Sequence, residues 1–326
     1  MTLDTTRSED AVFMALAAYE AEKFIGATAP NPPVGACLVR DGKILAVGAH
    51  ARAGFDHAEV VTIKRALELH GEAAVRGATL YVTLEPCNHH GKTPPCTEAI
   101  LKAGVTRVVF GIEDPNPAVA GGGALELQHH QVKVIEGTGK QICLNLIEPF
   151  LKLKTTGLPW IVHKLAYRVL KDGTLSMLPE PGMKTFTSQE SLKEAHLERK
   201  KCDAILTGIG TVLVDQPLFN VRHLEDHPKK KRPLIVLSRK RTELPSSWVE
   251  QQKGLGFEVE LASDPIEALE QLGQKGALRV LVEAGPQLSQ WVISEGAWDE
   301  RLVFFSGIAG EDQDFFIRER ACSPES

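Results

Sequence analysis

Between Leu84 and Cys96 the chain reads LEPCNHHGKTPPC, with Cys87 and Cys96 nine positions apart around two histidines and a lysine. Upstream lies DHAEV, which sets His57 and Glu59 at H-x-E spacing. One imidazole and two thiolates are zinc ligands, and three protein ligands leave the fourth tetrahedral position open, as in catalytic rather than structural sites. Glu59 can reach water at that position without ligating the metal, and can carry its proton. His57 and Cys96 both fall at expected helix starts, where free N–H groups and the helix dipole favour thiolate and orient ligands. A strand end delivers Cys87 between them. This division of labour suits hydrolytic removal of an amino group from a ring carbon.

Taken singly, these residues are ordinary: cysteines and a histidine fill cores, and H-x-E alone carries little. The joint arrangement in its strand and helix context is what points to zinc. His89 and His90 read as contacts to substrate or solvent, because a fourth ligand would close the catalytic position. Arg52 reads as part of a basic cluster or as a plain surface charge. Cys37, Cys143, Cys202 and Cys322 read as structural, with no disulfide-framework spacing, so a reduced, cytoplasmic compartment is expected.

The elements that must hold these residues alternate. A helix is expected from Asp10 to Phe24 with Ser8 as its cap. GACLVRDGKILAVGA reads as a hairpin turning at Asp41-Gly42. A helix follows, closed by Gly71, then the strand TLYVTL, the cysteine loop, the helix TEAILKAG and the strand RVVFGI. A loop EDPNPAVAGGG, a short helix and VKVIEG complete a mixed sheet with helices on both faces. FLKLKTTGLPW interrupts the alternation with charge, Gly and Pro. It places a linker at 149–157 between domains spanning 1–148 and 158–326. The second domain alternates again, from WIVHKLAY through a helix beginning near Ser188 to RLVFFSG. Its sheet should be mainly parallel, and its charged tail from Glu311 poorly ordered.

The pieces APNPPVGA, AVGAHARAGFDHAEV, YVTLEPCNHHGKTPPC and EDPNPAVAGGG, in that order, resemble the bifunctional deaminase-reductases of riboflavin biosynthesis. The C-x8-C spacing with GKTPPC separates this family from the nucleoside and tRNA deaminases, which use P-C-x-x-C. The resemblance implies a three-layer α/β domain like cytidine deaminase, with His57, Cys87 and Cys96 on zinc and Glu59 as proton shuttle. It implies deamination of 2,5-diamino-6-ribosylamino-4(3H)-pyrimidinone 5′-phosphate, with Asn31, His50, Lys92, Asp114 and Asn116 at substrate-contacting positions. From the residues themselves, His50, Arg52, His89, His90 and Lys92 form a basic cluster suited to a phosphorylated base.

GLPWIVHKLA, CDAILTGIGTVLVDQPLFNVR and LRVLVEAGPQLSQWV resemble the family's reductase domain, an α/β fold like dihydrofolate reductase. The resemblance implies NADPH and hydride delivery to the ring-opened sugar, giving a ribityl chain. Lys164, Arg199, Arg222 and Glu283 match substrate-side positions. Ala166, Thr211, Asp215 and the turn from Gly285 to Trp291 match cofactor-side positions. VEAGPQL, a strand, a glycine turn and a helix start, is a suitable seat for phosphate groups. The chain departs from the family at Met183, Thr185 and Gln216, and its final sheet segment looks short. Two readings therefore stay open: both reactions, or deamination alone with a degenerate reductase-like domain.

At 326 residues, 43% hydrophobic and 24% charged, the chain has material for two cores. A net charge of −5 and the absence of an aromatic-basic channel exclude a generally basic nucleic-acid binder. No apolar stretch approaches a membrane span, and the acidic residues ahead of the first apolar run do not read as a signal peptide. The expected partner is a small phosphorylated pyrimidine. Oligomeric state is left open, a homo-oligomer included.

Overall fold

The computed structural model describes residues 5–89, 94–115, 120–177, 188–240, 243–307 and 314–321. The chain divides into two units, Met1–Leu151 and Lys152–Ser326.

In the first unit the order is α1 (Thr5–Glu22), β1 (Gly35–Arg40), β2 (Lys43–Ala49), α2 (Ala58–His70), α3 (Glu72–Val75), β3 (Thr79–Leu84), α4 (Cys96–Lys102), β4 (Arg107–Ile112), α5 (Gly122–His129), β5 (Lys133–Glu136) and α6 (Lys140–Thr156). The sheet runs β2-β1-β3-β4-β5, with β1 antiparallel to both neighbours and β3, β4 and β5 parallel. Strand residues alternate between two cores, as a period of two requires. Leu38, Leu80, Val82, Val108 and Phe110 pack with residues of α2, α4 and α5. Cys37, Tyr81 and Val109 pack with Met14 and Ala17 of α1 and Cys143 and Ile147 of α6. The result is three layers. Gly35 is obligatory here, since a Cβ on it would lie 2.0 Å from the carbonyl oxygen of Ala17. Asp41 and Gly42 both take positive φ, 50° and 72°, the backbone of a tight hairpin turn.

Two local expectations are corrected. Ser8 lies inside α1, which starts at Thr5, so it is not the cap. Apolar spacing sets which helix face is buried, and not where the helix begins. The segment 149–157 is mostly helical: α6 carries Pro149 internally and runs to Thr156, ending at Gly157 with φ of 74°.

The second unit contains β6 (Trp160–Val169), β7 (Leu175–Ser176), α7 (Gln189–Lys201), β8 (Ala204–Gly208), α8 (Ile209–Asp215), β9 (Arg232–Leu237), α9 (Ser246–Gly254), β10 (Phe257–Ala262), α10 (Pro265–Gln274), β11 (Arg279–Glu283), α11 (Pro286–Ser294), β12 (Glu300–Ser306) and β13 (Phe315–Arg320). Its sheet order is β10-β9-β8-β11-β6-β12-β13, parallel through β12, with β7 antiparallel on β6. Ser188 caps α7 by accepting the Ser191 N–H at 3.2 Å. Ala204, Leu206, Val280 and Val282 face α10 and α11, while Ile205, Leu281 and Val236 face Trp248 of α9.

Part of the tail expected to be poorly ordered is a strand. β13 pairs antiparallel with β12 from Phe305↔Phe315 to Glu300↔Arg320. Arg318 anchors it with ion pairs to Glu300, Glu198 and Glu194. The charges that looked like a solvated tail are the fasteners. Cys322, Met183 and Thr185 lie outside the described residues.

Candidate active site

Three element ends converge in the first unit. His57 is the N-cap of α2, Cys96 is the first residue of α4, and Cys87 lies just beyond β3. The Nδ1 of His57 is 3.2 Å from the Sγ of Cys96 and 3.5 Å from the Sγ of Cys87. All three ligand atoms lie within 4.8 Å of one another. A tetrahedral zinc with bonds of about 2.0 Å to nitrogen and about 2.3 Å to sulfur needs N···S edges of about 3.5 Å. The residues fit that ion. The base of the cysteine loop is closed by Thr97, whose N–H donates to the Cys87 carbonyl at 3.3 Å and whose hydroxyl donates to Asn88 Oδ1 at 2.7 Å.

Cys87 is the readier thiolate. A hydrogen bond from the Cys96 thiol is the main cause that holds it down to about 4, and the same bond helps keep the proton on Cys96. Glu59, in the first turn of α2, is 3% exposed. Burial pushes its pKa up to about 7, and its carboxyl is a hydrogen-bond partner of Cys96. A carboxyl poised near neutrality can take a proton and return it.

His50 is buried beside this group, its ring edge-on to His57 with centroids 5.5 Å apart. Its Nδ1 lies 3.1 Å from the Asp56 carbonyl, which assigns the proton to Nδ1 and leaves Nε2 to accept from Asn31 Nδ2 at 3.2 Å. Burial lowers its pKa, so it presents hydrogen bonds rather than the positive charge read from sequence. Arg52 and His89 are exposed. The Asp114 N–H donates to Glu85 at 3.3 Å. His90, Lys92 and Asn116 lie outside the described residues.

The second unit gathers a different set. Glu283 ends β11 opposite Lys164 of β6, with the Lys164 ammonium 3.7 Å from its carboxylate. Arg199 of α7 grips the same carboxylate and donates to the Leu218 and Asn220 carbonyls at 3.2 Å each. The exposed Arg222 donates to the Leu218 carbonyl and to Asn220 Oδ1, and its own N–H is held by His196 Nδ1 at 3.0 Å. Ala166 lies on β6 two residues beyond Lys164. Thr211 of α8 accepts the Gly285 N–H at 3.1 Å, joining the first turns of α8 and α11. A Cβ at Gly210 would meet nothing within 4 Å, so that turn stays open for a phosphate-bearing cofactor. Asp215 is exposed at the end of α8, followed by Gln216 in left-handed backbone at φ of 43°. Glu85 and His196 are buried at these two sites, yet no spacing rule marks either, because their partners are distant in sequence.

The family model of the cytidine and deoxycytidylate deaminase zinc-binding region matches residues 7–112, and that of the RibD C-terminal domain matches residues 160–321. Together with the two folds, this defines a zinc-dependent deaminase domain joined to a reductase domain. The riboflavin biosynthesis protein RibD of Aquifex aeolicus (strain VF5) is 35% identical over 322 residues, spanning 92% of this chain and 87% of the relative. The RibD of Escherichia coli (strain K12) is 36% identical, spanning 91% and 88%. The chain belongs to the RibD family. A solved deaminase/reductase from Thermotoga maritima superposes with a TM-score of 0.81 at 29% identity, covering 97% of this chain and 100% of that one. Acinetobacter baumannii RibD gives 0.78 at 31%, covering 96% and 98%.

Proposed function

We propose that this chain performs two successive steps of riboflavin biosynthesis. The first unit removes the amino group of 2,5-diamino-6-ribosylamino-4(3H)-pyrimidinone 5′-phosphate by hydrolysis. The second reduces the ribosyl group of the product to ribityl with NADPH. The Thermotoga relative is described as a diaminohydroxyphosphoribosylaminopyrimidine deaminase and 5-amino-6-(5-phosphoribosylamino)uracil reductase, which supports both substrates. The observation that carries the reading is the His57-Cys87-Cys96 triangle at zinc-ligand spacing beside a buried Glu59.

Zinc bound by these three side chains supplies Lewis acidity, which lowers the pKa of water toward neutrality. Glu59 takes the proton of the attacking water as its oxygen bonds to the amino-bearing ring carbon. One water proton ends on the adjacent ring nitrogen and the other, carried by Glu59, on the departing amino group, so that the C–N bond breaks and ammonia leaves a ring carbonyl behind. Asn31 and His50, already hydrogen-bonded to each other, orient the ring; Lys92, Asp114 and Asn116 serve the ribose phosphate.

In the second unit Lys164, held beside Glu283, and the exposed Arg222 meet the sugar phosphate, with Arg199 fixing both the carboxylate and the 218–220 carbonyls. Ala166, Thr211, Asp215 and Gly285 line the NADPH side. Net reduction adds hydride to sugar C1′ and a proton to the ring-opened oxygen. Deamination alone is the second reading, favoured by Gln216, since a left-handed position suits Asp or Asn better than Gln.

Among the described residues no helix is long and apolar enough to cross a membrane. Cys37, Cys87, Cys96, Cys143 and Cys202 are not in disulfides, which suits the cytoplasm.

Mass analysis of product formed by zinc-loaded protein, with and without NADPH, tests the proposal. The deamination shift should appear in both tubes, and two further hydrogens only with NADPH. Deamination alone in both would leave the second reading; no shift in either would overturn the assignment.

A further inference from the structure

We infer that Glu85 is a positioning residue of the deaminase, whose carboxylate fastens both ends of the loop after β4 to the strand end that carries Cys87. The inference rests on the deaminase reading above and extends it to a residue outside the zinc set.

Glu85 follows β3 directly and is 4% exposed. A buried carboxylate is costly unless donors meet it. Here four backbone N–H groups do. Oε1 accepts from Gly123 and Ala124, each at 3.0 Å. Oε2 accepts from Gly121 at 2.9 Å and from Asp114 at 3.3 Å. A carboxylate has about four lone-pair sites, and these four bonds occupy them. Its role is to hold backbone.

What it holds lies on both sides of one loop. Asp114 leaves β4, while Gly121, Gly123 and Ala124 open α5, whose N-terminal dipole also favours the negative charge. The main chain reinforces the grip: the Glu85 N–H donates to the Ile112 carbonyl at 2.9 Å. Gly123 presses so closely on Pro86 that a Cβ would lie 1.9 Å from the Pro86 carbonyl oxygen. β3 and β4 are parallel neighbours, and loops beyond the C-terminal ends of parallel strands form the rim at which ligands bind. One such loop delivers Cys87, and the other begins at Asp114. A single carboxylate between them sets the distance from the metal ligand to the loop that reads the rest of the substrate.

The test uses full-length, zinc-loaded protein and the variants Glu85→Gln and Glu85→Ala. Glutamine keeps the shape but turns one oxygen into an NH2 facing two N–H donors, releasing Gly123 and Ala124 if it replaces Oε1, or Asp114 and Gly121 if it replaces Oε2; alanine releases all four. Zinc should stay at the wild-type level in Glu85→Gln. Amide exchange at Gly123 and Ala124, or at Asp114 and Gly121, should rise about tenfold, and KM should rise about tenfold while kcat changes less than about threefold, the pattern of lost uniform binding. In Glu85→Ala exchange should rise at both ends, with a larger KM. Loss of zinc in Glu85→Gln, a fall in kcat at unchanged KM, or unchanged exchange would overturn the inference. Zinc content and exchange need no substrate, so they decide the anchoring separately. A wild-type enzyme that leaves the pyrimidine unchanged would instead overturn the deaminase reading.

Discussion

Arg199 and Glu283 meet in a paired contact, Nε to Oε1 at 2.6 Å and Nη2 to Oε2 at 2.8 Å, with the arginine 8% exposed. The arginine holds the carboxylate down to about 2, so it stays charged at any working pH. Removing one member leaves the other charge buried. Glu283→Ala should therefore cost the second unit about 3 kcal/mol in urea denaturation. A double-mutant cycle with Arg199→Ala should recover much of that cost, because the strain lies in the orphaned partner. Additive losses would show that the pair is not coupled.

Glu59→Gln should keep zinc and the fold but lower the deamination rate by at least about a hundredfold, the usual contribution of a general acid–base group. Ammonia release measured beside zinc content separates lost chemistry from lost metal. Reduction of pre-deaminated substrate by the same variant should be unchanged.

Zinc should also be a structural tie for the first unit, since an ion held by His57, Cys87 and Cys96 would join the starts of α2 and α4 to the end of β3. At a hundredfold excess over its Kd, a bound ion stabilises the folded state by about 2.7 kcal/mol. Chelation should lower the melting temperature of the wild type. It should leave Cys87→Ser, already short of a ligand, much less affected.

Two histidines make the second unit sensitive to mild acid. Burial pushes His163 down to about 4 and His196 down to about 3, against 6.5 in the unfolded chain. Below 6.5 the unfolded chain binds protons that the folded unit refuses. Stability is full above that pH and falls as pH drops toward 4, by about 1.4 kcal/mol per pH unit for each histidine. Glu198 and Glu283, held near 2 against 4.5, contribute their own loss only below pH 4.5. Denaturation between pH 4.5 and 7 should show a shallower slope for His163→Leu than for wild type; equal slopes would remove His163 from the account.

Arg318→Ala should release β13. It removes ion pairs to Glu194, Glu198 and Glu300 and leaves two buried carboxylates with fewer partners. A loss of about 3 kcal/mol and rapid amide exchange across 315–320 are the expected outcomes.

The sequence by itself determined the parts whose physics is local. Asp41-Gly42 specified its hairpin because the turn needs two residues that tolerate positive φ. Gly71 closed α2, a helix was placed to begin near Ser188, and the β-rich runs GACLVR and TLYVTL became β1 and β3. Ligand chemistry and spacing were likewise enough to single out His57, Cys87, Cys96 and Glu59. Only the tertiary structure decided what depends on partners far along the chain. It buried His50 and so left it neutral, and it met Glu85 with four N–H groups, the nearest of them twenty-nine residues away. It also turned the charged tail into β13 by setting Arg318 against carboxylates more than a hundred residues upstream. A charge reads the same in sequence whether water or a buried counter-ion receives it; burial and the partner it finds decide what that charge does.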